Sequence, residues 1–234
     1  MDHLHGGRRR RLCRRIHHCH DRLIPIEVKL HWSSRSPFVR KVMIVAHETG
    51  QADEITTVRS VVGRTIVNPD VVEDSPVGRI PVLALDDGIV LTGSFAICDY
   101  LDSRHNGRKL IPPRGESRWR ELELHGVTDG TLDILLNWRY EKTKPEAQRW
   151  RAFCESSAAK VKHSLAWLDR RAGDFRDEDY GIGQITSGIV LDYLDFRFPE
   201  IDWRDSNPNL RHWHKIFSAR PSSKATEIVD DEQG

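Results

Sequence analysis

Cysteine is scarce in this chain of 234 residues. Its four cysteines, Cys13, Cys19, Cys98 and Cys154, are too few and too scattered to frame a disulfide-held fold. Long apolar runs are absent: none approaches the about 18–20 residues that cross a bilayer, so no membrane partner is expected. Charge of one sign is absent too. The 36 Lys and Arg face 35 Asp and Glu, a net +1 that gives no field for steering to nucleic acid. No internal repeat or long low-complexity tract is present. What remains is a soluble, somewhat polar balance, 38% apolar and 30% charged. The length suits one large domain or two small ones.

The charge is unevenly spread. Residues 1–27 hold seven Arg against three acids, with five of the twelve His, and leave 29 basic against 32 acidic residues in the rest. This stretch has no helical or strand period and no apolar stretch of a secretory signal. It contains no Ser, which argues against a transit peptide. Cys13, His17, His18, Cys19 and His20 are zinc-ligand types, but a structural site needs four ligands on a folded scaffold, and none is evident. Residues 1–25 therefore read as a disordered basic extension, and no metal is expected. Translation from an upstream start, with Val28 as the true initiator, is an alternative origin for it.

From there a pattern emerges. Ile26–His31 alternates as a half-buried strand does. Ser36 and Pro37 open a helix through about Glu48, because Ser is a favoured N-cap and Pro a favoured first residue, and Gly50 stops it. Ile55–Val58 is a second strand. Residues 60–79 are mixed, with Asn68-Pro69 and Ser75-Pro76 as turn signals. Val82–Leu85 and Ile89–Leu91 form a hairpin across Asp86-Asp87-Gly88. Ser94–Ser103 is helical. Residues 106–115 contain two Pro and two Gly and read as a linker. Helices are expected at about 116–140, 145–171, 183–197 and 208–218, and 221–234 reads as a frayed tail. Tryptophan, concentrated after residue 115, suits a packed helical core.

Several runs are recognisable in this order. They are VKLHWSSRSPFVRKV from Val28 to Val42, GRIPVL from Gly78 to Leu83, LTGSFAICDYL from Leu91 to Leu101, Asp129-Gly130 with Asp133, and YLDFRFP from Tyr193 to Pro199. Together they resemble bacterial glutathione S-transferases over roughly residues 28–225. The resemblance implies an α/β thioredoxin-like N-terminal domain with a mixed four-stranded sheet over 26–105. A linker over 106–115 and an all-α C-terminal domain over 116–220 follow. It also implies a cytoplasmic homodimer, glutathione as co-substrate, and no metal or redox cofactor.

The physics at Ser36 stands beside the resemblance. An unperturbed thiol has a pKa of about 8.5, and only the thiolate is a good nucleophile. A helix N-terminus offers unpaired N–H groups and about half a positive charge, and a hydroxyl adds a hydrogen bond to the charged form. Ser36 is the candidate catalytic residue, with Ser33 and Ser34 as alternatives and plain N-capping as the bland account. No cysteine lies nearby, which argues against glutathione-dependent reduction. The resemblance assigns glutathione binding to Phe38, Arg79, Ile80, Pro81, Val82, Gly93 and Ser94. Pro81 is expected to be cis, freeing the backbone of Val82 to pair with the cysteinyl residue as an added strand. Ser94 would take the γ-glutamyl carboxylate, and Arg79 the glycyl carboxylate. Trp32, Asp129 and Tyr140 would line the pocket of a small apolar electrophile, with Asp129 and Asp133 sharing a helix face.

Two departures stand out. The family usually places an acid before the Ser at position 94, and here stands Gly93. The Ser/Thr…Asp capping box of a late helix is Gly181…Gln184, with Gln184 expected to reach back. Gly93 favours an alternative in which the fold serves as a binding or regulatory module with little catalysis.

Overall fold

The computed structural model describes residues 28–230. The basic extension, with its cysteines and histidines, and residues 231–234 lie outside the described residues. No helix among those described is long and apolar enough to cross a membrane.

The first unit is a four-stranded sheet with helices packed on it. Strand β1 (Val28–Trp32) leads into helix α1 (Pro37–Glu48), then β2 (Ile55–Arg59), α2 (Pro69–Asp74), β3 (Val82–Ala84), β4 (Val90–Thr92) and α3 (Ser94–Ser103). The strand order is β2-β1-β3-β4. Strand β1 runs parallel to β2 and antiparallel to β3, and β4 is antiparallel to β3. This is the mixed sheet of a thioredoxin-like domain. Leu30, Val42, Val45, Leu83 and Ile97 are fully buried between the sheet and its helices. The Asn68-Pro69 turn signal proves to be a helix start: the Asn68 side chain accepts from Asp70 N at 3.0 Å and Val71 N at 3.3 Å, and Pro69 takes the first helical place.

The connection after α3 is fastened rather than loose. The buried Asp102 carboxylate accepts from Leu110 N at 2.8 Å and Ile111 N at 3.0 Å, and both of those side chains are buried. The helical unit then comprises α4 (Gly115–Lys142), α5 (Arg151–Ala172), α6 (Ile182–Arg197), the short α7 (Trp203–Ser206), α8 (Pro208–Ala219) and α9 (Pro221–Ala225). Helix α6 is buried along nearly its whole length and forms the axis of this unit.

The C-terminal residues depart from the frayed tail expected over 221–234. Ser222 and Ser223 are buried. The end of α1 holds them: Glu48 accepts from Arg220 at 3.1 and 2.9 Å and from Ser222 Oγ at 2.5 Å. The chain then runs on until Val229 O accepts from Ser34 Oγ at 2.6 Å. A polar sequence hides such docking because the partners are carboxylates and carbonyls, not an apolar face.

The start of α6 also differs from the expected capping box. Gln184 does not reach back; its amide donates to Arg176 O and Asp179 O. Glu121 of α4 takes the capping role, accepting from Gly183 N at 2.8 Å. A Cβ at Gly181 would lie 2.6 Å from Glu121 Oε2 and 2.7 Å from Leu110 O, so glycine makes the room. Burial pushes the Glu121 carboxyl up to about 7. A carboxyl whose folded pKa is raised favours folding fully below its unfolded value of about 4.3, and that contribution is lost as pH rises through about 7. Glu121→Gln is therefore expected to flatten the decline of stability between pH 5 and 8 by on the order of 1 kcal/mol. Urea titrations at both pH values check this, and parallel declines in variant and parent would refute it.

Candidate functional site

Helix α1 begins where the sequence places its chemistry. Ser36 is the N-cap, and its Oγ accepts from Val39 N at 3.3 Å. That bond uses an oxygen lone pair and leaves the hydroxyl proton available. The first turn of α1 carries no acid of its own to offset the positive end of the helix. Of the alternatives, Ser34 donates its proton to Val229 O, and Ser33 is buried, its backbone carbonyl accepting from Ser36 N at 3.1 Å. Cys98 is buried on α3, and burial pushes its thiol up to about 12, far from a reactive thiolate.

The Ile80–Pro81 bond is cis, as expected. The backbone open to an added strand is not that of Val82, however. Val82 pairs with His31 on one side and Thr92 on the other, so β3 is internal to the sheet there. Ile80 lies before the first paired residue of β3 and is half-buried. Arg79 is exposed and makes no ion pair among the described residues. Phe38, the second residue of α1, packs against the core.

At the start of α3 lies a polar cluster built around Lys41. Ser94 is the first residue of α3 and is buried. Its Oγ accepts from Lys41 Nζ at 3.2 Å. Lys41 is 0% exposed and donates as well to His125 Nε2 at 3.2 Å and to the Asp129 carboxylate. Burial, then the Lys41 charge, push His125 down to about 4, so the ring is neutral and accepts. The ammonium thus has three acceptors for its three protons. With its lone pair turned to Lys41, the Ser94 hydroxyl has its own proton to give to a ligand. The signal was present in the sequence: Lys41 shares the stripe of Phe38, Val42 and Val45, where an apolar residue is the rule.

Gly93 has φ +95°, a conformation L side chains rarely adopt. A Cβ there meets nothing within 4 Å, so the obstacle to an acid is backbone strain, about 1–3 kcal/mol, rather than space.

The three residues assigned to an electrophile pocket separate. Asp129 belongs to the Lys41 cluster, and Asp133 is exposed. Tyr140 is 11 residues further along α4, about 16 Å at 1.5 Å per residue. There the Arg64 guanidinium lies 4.9 Å from its ring and bonds to Asn137. Trp32 is half-buried, and its carbonyl accepts from Ser60 N at 2.8 Å. Asp192, Asp195 and His214 come within metal-binding spacing of one another, but their carboxylates are committed to Arg40 and Arg204.

Comparison with known proteins places this geometry. The family profile "Glutathione S-transferase, N-terminal domain" matches residues 30–109. An uncharacterized GST-like protein, YibF of Escherichia coli, is 26% identical over 204 residues, 86% of this chain and 98% of its own. Among solved structures, a glutathione transferase family member from Pseudomonas fluorescens with bound glutathione is 36% identical. Its TM-score is 0.84, over 86% of this chain and 99% of that one. A glutathione S-transferase from Methylobacillus flagellatus with glutathione bound is 31% identical with a TM-score of 0.80, over 86% and 100% of the two chains.

Proposed function

Because the chain belongs to the glutathione S-transferase family, we propose that it binds glutathione along the groove from Ile80 to Ser94 and presents the sulfur as a thiolate to a small electrophile. The observation that carries this reading is the start of α1. There a serine hydroxyl with its proton available caps a helix whose first turn holds no acid. Stabilising the thiolate and holding it beside a carbon centre combines pKa tuning with proximity. The sulfur forms the new bond to carbon, the leaving group departs with its electron pair, and the thiol proton passes to solvent. The ligand's backbone pairs with Ile80, and its γ-glutamyl carboxylate takes the Ser94 proton. The γ-glutamyl ammonium, deprived of an acid at position 93, turns to Asp129. Exposed Ile89 just before edge strand β4, exposed Val90 on it and exposed Trp119 on α4 support a homodimer that joins the sheet unit of one subunit to the helical unit of the other.

Retention on immobilised glutathione, followed by turnover with 1-chloro-2,4-dinitrobenzene, tests the reading. Failure to bind glutathione would overturn it. Binding without turnover of any electrophile would favour the second reading, a glutathione-binding module, for which Gly93 is the specific observation.

A further inference from the structure

A cavity of about 400 Å³ opens between α1, α6 and the C-terminal segment. That volume lies within the range of small-molecule sites. Its polar wall includes Arg40 of α1, Asp192 and Asp195 of α6, Ser223 of α9 and Glu227 beyond it. Phe196 and Ile228, both half-buried, supply apolar surface. The cavity shares no residue with Ser36 or with the groove from Ile80 to Ser94.

Two residues of this wall hold buried polar atoms with nothing to bond. The Arg40 side chain is 5% exposed; its Nη1 donates to Asp192 Oδ2 at 2.5 Å and its Nη2 to Ser223 O at 3.4 Å. Its Nε has no partner among the described residues, and neither has the Oγ of Ser223, a residue 1% exposed. Buried donors without acceptors are unusual in a native structure. What both lack is an acceptor atom, and both residues line the cavity. The charges say which kind. Asp192 matches Arg40, and Asp195 is held by Arg204 through bonds of 2.7 and 2.5 Å. Glu227 is exposed and makes no ion pair among the described residues, so one carboxylate is left over. A further carboxylate beside Asp192 would have no counter-charge, which is costly where water is scarce. A neutral oxygen satisfies the two donors without that cost, and a cation answers Glu227.

We propose that this cavity binds a small organic monocation: a primary ammonium beside a neutral oxygen, carrying an apolar side chain. The oxygen accepts from Arg40 Nε and Ser223 Oγ, the ammonium donates to Glu227, and the side chain packs on Phe196 and Ile228. An amino alcohol has these parts. An α-amino acid has the same shape but brings the surplus carboxylate. The ligand bridges α1 to the C-terminal segment, and both lead to the start of α1: Arg40 N donates to Ser36 O at 3.0 Å, and Val229, next to Ile228, accepts from Ser34.

Calorimetric titration of the full chain with three matched compounds tests the proposal: L-phenylalaninol, L-phenylalanine and N-acetyl-L-phenylalaninol. They share ring and chirality and are, in turn, a cation, a zwitterion and a neutral molecule. Phenylalaninol is expected to bind with a Kd of about 5 mM or tighter. The other two should bind at least about fivefold more weakly, with the gap narrowing in high salt. Glu227→Gln should erase most of the advantage over the acetylated compound. Ser223→Ala should weaken phenylalaninol about three- to tenfold. Thermal melts check that both variants fold. No heat with phenylalaninol at about 20 mM would overturn the proposal, as would equal or tighter binding of phenylalanine. A folded variant of either kind that binds phenylalaninol as the parent does would also overturn it. The readout needs no turnover and no glutathione, so its failure leaves the transferase reading standing.

Discussion

Replacing Ser36 with alanine is expected to raise the pKa of the bound glutathione thiol by about one to two units and to lower kcat/KM near neutral pH by about 10- to 150-fold. A hydrogen bond to a charged group is worth about 1.5–3 kcal/mol, and 1.36 kcal/mol is one pKa unit or a factor of ten in rate. The loss should shrink at alkaline pH, where the thiol ionises without help. Ser36 also caps α1, so its removal costs stability of about 1 kcal/mol. The two roles separate with Ser36→Gly, because glycine costs an N-cap only about a few tenths of a kcal/mol and has no side-chain donor. The Gly variant should melt close to the parent and still show the raised thiol pKa. Ultraviolet titration of the bound thiolate, with kcat/KM measured across pH, reads both. An unchanged thiol pKa in the Ala and Gly variants would pass the role to Ser33 or to the N–H groups of α1.

The start of α1 was legible because it rests on local chemistry. Ser36 and Pro37 have conformational preferences that operate over two residues, and the helix begins and ends where those preferences put it. The sheet was legible for the same reason, since alternation along a strand depends on a period of two. Which backbone edge remains open was not. The reading that freed Val82 counted residues from Pro81, whereas the answer depends on β4 returning to pair at Thr92. Pairing on the far side of a strand is a property of the sheet, not of the strand's own sequence.

The tail and the start of α6 failed to show for another reason. Their partners are distant in sequence: Glu48 for Ser222 and Arg220, Ser34 for Val229, and Glu121 for Gly183. Polar residues that pair across the fold look like solvated residues when read in order. Gly181 gave a hint, since an apparently weak cap is explained once the Glu121 carboxylate and the Leu110 carbonyl are seen to fill the space of its side chain. The same blindness split the assigned pocket. Asp129 and Tyr140 were placed together because both occur on α4, but a helix of 28 residues runs from one end of the cleft to the other.

Lys41 is the residue on which that cleft's inner end depends, and it supplies the largest expected effect on stability. Asp129→Ala leaves its ammonium fully buried, with only Ser94 and a neutral His125 as acceptors. Stranding one member of a buried pair costs about 3–5 kcal/mol, which for a chain of this size lowers Tm by about 6–20 °C. Asp129 itself is 37% exposed, so the screened attraction between the two charges is the smaller part; the cost lies in the ammonium. The double variant Lys41→Met with Asp129→Asn removes both charges while keeping the length of the buried side chain. It should recover much of the lost Tm, because an apolar side chain of similar volume often replaces a buried pair without penalty. Glutathione affinity should not recover with it. The Ser94 oxygen then lacks the donor that orients its proton, and the γ-glutamyl ammonium lacks its carboxylate. Thermal melts and calorimetric titration of the parent, Asp129→Ala, the single variants Lys41→Met and Asp129→Asn, and the double variant complete the cycle. An Asp129→Ala variant that melts within about 2 °C of the parent, less than 1 kcal/mol, would show that Lys41 does not need the carboxylate. A double variant that binds glutathione as tightly as the parent would remove the cluster from the ligand site altogether.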